Sequence, residues 1–401
     1  MALASAVSLA VAMGIGRFAF TPLLPMMLHD GVIDLRSASW LASANYLGYL
    51  AGALLCTFQP WIWARAPRLP PIDGPWLVRA GLVATGLLTL GMALPLPALW
   101  PLLRFAAGVA SALVFVYTSG WCLSQLARLQ ATALGGVMYT GPGAGIVVSG
   151  LFATAMVAWH WRASTGWLIF GTLAFALTAL VWRTVRSGAG PRPAATASLG
   201  GDALSGAHGR AEVAFLAVAY GLAGFGYIVT ATFLPVIARE SLPASPWLDM
   251  FWPIFGLGVV SGSLLAARVR VSGDLRLMLA GSYCVQAAGI AVSLMRPSLA
   301  GFAIGSLMLG LPFTAITFFA MQEVRRLRPA LAASFMGLLT AMYGIGQIVG
   351  PPLVAELLRH SGSAGAGFTR SLEIAMSALL VGVAMYLWMV RAYPMARPAS
   401  P

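Results

Sequence analysis

Residues 14–25 read GIGRFAFTPLLP, and residues 224–235 read GFGYIVTATFLP. The same spacing relates the next apolar stretches, where Gly48, Gly52, Leu54 and Leu55 match Gly258, Gly262, Leu264 and Leu265. A chain of 401 residues, 59% of them hydrophobic, that carries such a repeat reads as two tandem copies of one unit. The repeat also isolates a difference. Where the first copy has Arg17, the second has Tyr227.

Only 9% of the residues are charged, against about 25% in soluble globular proteins. Mean hydropathy is +0.85. That much apolar surface needs a bilayer as its solvent, and only helices and closed barrels span one. Apolar runs of about 20 residues without period-2 alternation select helices. Twelve are expected. The first six are residues 3–28, 38–61, 76–95, 98–122, 132–157 and 163–183. The second six are residues 212–238, 247–268, 276–295, 299–321, 333–358 and 371–390. The segment 184–211 is rich in Gly, Ala, Ser and Pro and has no apolar period, so it reads as a linker. The expected fold class is an all-α integral membrane protein. Two pseudo-symmetric six-helix bundles, 1–183 and 212–390, flank the linker, and a tail follows from 391 to 401.

The net charge of +13 comes from arginine alone among the basic residues. Sixteen arginines fall in the links on one side and six on the other. This is the positive-inside pattern, which places both termini, the linker and the tail in the cytoplasm and argues against a nucleic-acid partner. Cys56, Cys122 and Cys284 are far apart within apolar runs and read as packing residues without a metal role. The first apolar stretch is too long for a signal peptide and lacks a basic lead, so it reads as a mature helix. No H-E-x-x-H or G-x-S-x-G is present, and every histidine falls in a loop or at a helix end. An enzyme is therefore not expected, and neither metal nor cofactor is called for. A non-transporting membrane sensor would carry a soluble output domain, and the longest polar segment is the linker.

Two arginines remain at membrane depth. A charge at the centre of a spanning helix costs about 2.5–3.5 kcal/mol on insertion scales, so it faces a partner or a watery cavity. Arg17 reads as a cationic anchor for an acidic solute group, since guanidinium grips carboxylate or phosphate with two parallel bonds. The alternative is a structural tie to helix carbonyls. Arg104 either lines the same cavity or reaches back to the interface. No carboxylate falls near the midplane. Asn45, Tyr46 and Tyr227 lie near the Arg17 level and could offer hydrogen bonds to a solute. Pro22 and Pro25 are expected to bend the first helix and Pro235 the seventh, because proline removes a backbone donor. Bent helices recur at solute sites in secondary transporters, whose substrates sit between internal repeats.

These features resemble the major facilitator superfamily over nearly the whole chain. The resemblance rests on the six-plus-six repeat, Arg104-x-x-x-Gly108 in the fourth helix and Gly141-Pro142-x-x-Gly145 in the fifth. The last is similar to that superfamily's motif at the contact of helices five and eight, and it implies a gating role for Gly141, Pro142 and Gly145. GIGRFAFTPLLPMM followed by ANYLGYLAG resembles, more narrowly, the bacterial YbfB/YjiJ group. The superfamily's Gly-x-x-x-Asp-basic motif between helices two and three is absent, so its inner charge lock is missing or replaced. The acid that many members place in helix one is absent too. Asp30, Asp34 and Glu356 are then the candidates for carrying a proton.

The resemblance implies a monomeric secondary active transporter of a bacterial inner membrane that works by alternating access. Its partners would be a small-molecule substrate, the lipid bilayer and a coupling ion such as H+. The expected substrate is a small organic anion or an acid-bearing amphipath, bound by Arg17 and Arg104 with Asn45, Tyr46 and Tyr227. The alternative is an exporter of neutral or cationic amphipathic drugs or metabolites, with both arginines structural.

Overall fold

In a bilayer every backbone donor must find its acceptor within the protein, and long apolar runs meet that demand as helices. The computed structural model describes residues 1–65, 74–130, 134–185, 207–268, 274–327 and 332–394. Most of the expected linker and the end of the tail lie outside these residues. Six helices form the first half. They are α1 (Ala2–His29), α2 (Leu35–Arg65), α3 (Gly74–Gly91), α4 (Trp100–Arg128), α5 (Gly135–Ala158) and α6 (Ala163–Val181). Six more form the second half: α7 (Ala207–Ser241), α8 (Phe251–Arg268), α9 (Leu275–Met295), α10 (Leu299–Gly310 and Phe313–Leu327), α11 (Ala332–His360) and α12 (Ala364–Ala392). Among the described residues, 11 helices are long and apolar enough to cross a membrane. The twelfth, α3, is diluted by glycines and by Arg79.

Short links and side-chain caps fix the order. After α1, Gly31 takes a left-handed conformation (φ 67°). The Val32 N–H then bonds the Met27 carbonyl at 3.2 Å and the Gly31 N–H bonds that of Leu28 at 3.1 Å. This double closure satisfies the last carbonyls of the helix. Asp30 accepts from the Ala163 N–H at 2.7 Å and so caps α6. Asp34 accepts from the Ser37 N–H at 2.7 Å at the start of α2. Hydrogen bonding from the Ser37 side chain, and then from its backbone, holds the Asp34 carboxyl below its ordinary value.

The repeat in sequence is a repeat in packing. Helix α2 packs on α4, α3 on α4 and α6, and α1 on α5; in the second half α8 packs on α10, α9 on α10 and α12, and α7 on α11. Glycine permits the closest of these approaches. A Cβ at Gly48 would overlap the Phe105 carbonyl of α4, and one at the matching Gly258 would crowd the Leu307 carbonyl of α10. Between the halves, α2 meets α11 and α5 meets α8.

Three expectations are corrected. First, Gly141 and Gly145 do not face α8. Gly141 packs on the Ala6 carbonyl and Gly145 on Ala10 and Gly14, all in α1. Helix α8 is met from the opposite face: Gly136 lies against Ala267, Gly143 against Gly256 and Val260, and Gly150 against Pro253. Second, not all cysteines are core residues, because Cys122 is buried while Cys56 is half-buried and Cys284 exposed. Third, α1 breaks upstream of its prolines, as described below.

At the start of α9 the second half carries a charge cluster. Arg276 at the start of α9 pairs with Asp274 at 2.8 Å and Glu212 of α7 at 2.9 Å. It also bonds the Met389 carbonyl of α12 at 3.1 Å. Glu323 of α10 pairs with Arg326 at 2.6 Å. Burial pushes the Asp274 carboxyl up, but its hydrogen bonds and charge pairing with Arg276 outweigh that and hold it below its ordinary value.

Candidate functional site

The chemistry collects where α1 loses its regular helix. Residues Ala10–Ile15 form a π turn, and 16–19 an irregular one, before the helix resumes at Phe20. The cause can be followed bond by bond. Pro22 has no N–H, so the Phe18 carbonyl lacks its usual partner one turn on. The Thr21 N–H takes that carbonyl instead, at 3.2 Å. This leaves the Arg17 carbonyl free. Upstream, the Gly16 N–H bonds Val11 at 2.9 Å, which frees the Ala12 carbonyl. Buried carbonyls of this kind must be paired from elsewhere.

Helix α4 supplies the partners. Ser111 Oγ donates to the Ala12 carbonyl at 2.6 Å. Arg104 donates through Nη1 to the Gly16 carbonyl and through Nη2 to the Arg17 carbonyl, both at 3.2 Å. Asn45 of α2 donates through Nδ2 to the Arg104 carbonyl at 2.9 Å. Arg104 is 2% exposed, so it does not reach back to the interface. Its position and that of Asn45 brace the break in α1.

Arg17 stands at the break with different company. It is 4% exposed. Its Nη2 donates to Gln347 Oε1 of α11 at 2.5 Å. Gln347 Nε2 donates onward to the Tyr227 hydroxyl of α7 at 2.6 Å. The guanidinium also lies over aromatic faces, 4.4 Å from the Tyr49 ring centroid and 5.2 Å from those of Tyr46 and Phe18. Its Nε has no hydrogen-bond partner. Among the described residues no carboxylate lies within ion-pair distance of it. The Tyr46 hydroxyl pairs with Thr232 of α7 at 2.9 Å.

Arg17, Tyr46 and Tyr227 therefore meet, and the meeting joins the two halves of the molecule. Gln347 is one polar residue in an apolar span (AMYGIGQIVGPP), and its bond with Arg17 links α11 to α1. Around them runs an aromatic wall. Tyr227 stacks with Tyr343 at 5.8 Å and meets Phe313 edge-on at 4.8 Å. Phe18 meets both Phe313 and Trp252 at 6.2 Å. Trp252 is fully buried, and its indole N–H has no partner. Trp40, by contrast, is exposed. The three candidate proton carriers lie away from this centre. Asp30 and Asp34 cap helices, and the exposed Glu356 pairs with Arg359 at 2.6 Å. Pro235 lies inside α7, which continues through it without a break.

Comparison with known proteins agrees with this architecture. A solved structure of a mutant of the nucleoside transporter NupG aligns with a TM-score of 0.71 at 14% identity, over 97% of this chain and 99% of that one. A second NupG structure gives 0.67 at 15% identity, over 98% and 100%. At such identity the likeness is one of fold. No curated protein matches the chain. The family described as "Uncharacterised MFS-type transporter YbfB" matches residues 9–387. The chain belongs to that family, and with it to the multi-pass membrane transporters of the major facilitator type.

Proposed function

We propose that this transporter is a secondary active carrier of small organic anions, with Arg17 as the anchor of the acidic group. The observation that carries the reading is a buried guanidinium with an unpartnered Nε, a neutral amide on Nη2 and, among the described residues, no carboxylate in reach. A buried charge is normally paired. An anionic solute would complete the pairing.

On this reading the bundles 1–183 and 212–390 rock about the Arg17 level, with the linker and both termini in the cytoplasm of a bacterial inner membrane. The chain acts as a monomer. Arg104 and Asn45 hold Arg17 in place from behind, while Tyr46 and Tyr227 flank the solute. No phosphate-binding loop occurs in the sequence, so an ion or solute gradient supplies the energy. The test is uptake into proteoliposomes from a panel of organic anions, neutral solutes and cationic amphipaths, with wild type beside Arg17→Gln. Anion flux in the wild type that the variant loses supports the anchor. Flux of neutral or cationic amphipaths that survives Arg17→Gln replaces it with the exporter reading.

A further inference from the structure

The side-on edge of a guanidinium is formed by Nε and Nη2, whose N–H bonds point the same way. A carboxylate grips that edge with both oxygens. In Arg17 the edge is half occupied. Nη2 holds Gln347 Oε1 at 2.5 Å, and Nε holds nothing. Gln347 presents one neutral oxygen where a carboxylate would present two charged ones. It is itself held from behind by the Tyr227 hydroxyl at 2.6 Å.

The rest of the lining is aromatic and comes from both halves. Phe18 and Tyr49 cover the guanidinium from the first half, and Tyr227, Phe313 and Trp252 continue the wall from the second. A paired guanidinium and carboxylate share one plane. A solute whose carboxylate is conjugated to a ring extends flat in that plane from the cation toward the aromatic wall, whose rings meet edge to face. Arg104 also has an unpartnered Nε, but both its Nη groups are bonded to carbonyls of α1, so its edge is tied to the backbone, whereas that of Arg17 meets only a side chain.

Resting on the anion reading above, we propose that the substrate is an aromatic monocarboxylate, gripped by the Nε–Nη2 edge of Arg17 in exchange for Gln347. Binding then trades a contact between the two halves for a contact with the solute, so α11 is released from α1 when the site fills.

The experiment is a thermal-shift titration of the detergent-purified full chain with benzoate, cyclohexanecarboxylate, acetate and benzamide. Wild type is compared with Arg17→Gln and Gln347→Ala. Benzoate is expected to bind about 2- to 10-fold more tightly than cyclohexanecarboxylate, the increment that aromatic pairing adds to burial. Benzamide should give no shift. Gln347→Ala should tighten benzoate about 10-fold or more, because a bond to the charged group no longer has to be broken. Misfolding cannot mimic a gain in affinity. Equal binding of the two ring acids overturns the aromatic assignment and leaves the anion reading intact. Weaker benzoate binding by Gln347→Ala overturns the exchange. A shift by benzamide alone, or by none of the four, overturns both this assignment and the anion reading.

Discussion

At the scale of single residues, Arg17 and Arg104 are two buried guanidiniums with opposite dependencies. Arg104 satisfies two carbonyls that the break in α1 has orphaned. Its loss leaves both buried and unpaired, at about 1–3 kcal/mol each. Arg17 satisfies one amide oxygen and is itself the group in need of a partner. Arg104→Leu should therefore lower the thermal midpoint of the purified protein by several degrees, whereas Arg17→Leu should leave it unchanged or raise it. Equal losses in the two variants would refute the division of roles. Depth in the apolar run was enough to pick out both arginines from sequence. Their different duties were not legible, because the carbonyls that occupy Arg104 are freed by backbone geometry that no residue count reveals. Gln347 was hidden for a related reason, since its partner lies 330 residues away.

At the scale of the element, α1 and α7 are copies of one helix that have parted. Helix α7 runs unbroken from Ala207 to Ser241 despite Pro235, while α1 is interrupted at 10–19. The prolines of α1 were visible in sequence, and so was the expectation of a bend at 22–25. The break sits upstream because a missing N–H is felt at the carbonyl one turn earlier. Pro22→Ala restores that donor. The Phe18 carbonyl can then take residue 22, and the Thr21 N–H returns to the Arg17 carbonyl in competition with Arg104. Amide exchange over residues 16–22 should slow by about 3- to 10-fold, the worth of one hydrogen bond. Unchanged exchange would mean that packing by Gly145 and Ser111 alone imposes the break. Those packing partners also show why the glycine motif was misplaced in the sequence reading. Gly141 and Gly145 share one helical face and Gly143 lies on nearly the opposite one, and only the neighbours in space decide which face meets which helix.

At the scale of the whole molecule, the two halves share their packing scheme but not their chemistry. The repeat was legible in sequence because close helix approach demands glycine at fixed positions, and Gly48 and Gly258 both meet that demand. The cation came from one copy only, so the site is asymmetric within a symmetric frame. The contacts between halves run along α2 with α11 and α5 with α8. If the halves rock, these seams must slide or part. On the first seam a Cβ added at Gly344 would lie 3.5 Å from Leu50 Cβ, within the span of a disulfide at about 3.5–4.5 Å. The double variant Leu50→Cys with Gly344→Cys, in a background lacking Cys56, Cys122 and Cys284, should therefore cross-link under mild oxidation. Its solute flux in proteoliposomes should fall to the level of empty vesicles and return on reduction. Each single variant should be indifferent to oxidant, which separates the tether from damage by the reagent. A tethered protein that still transports at the wild-type rate would show that this seam stays shut through the cycle, and would move the hinge of alternating access to α2 and α11 themselves.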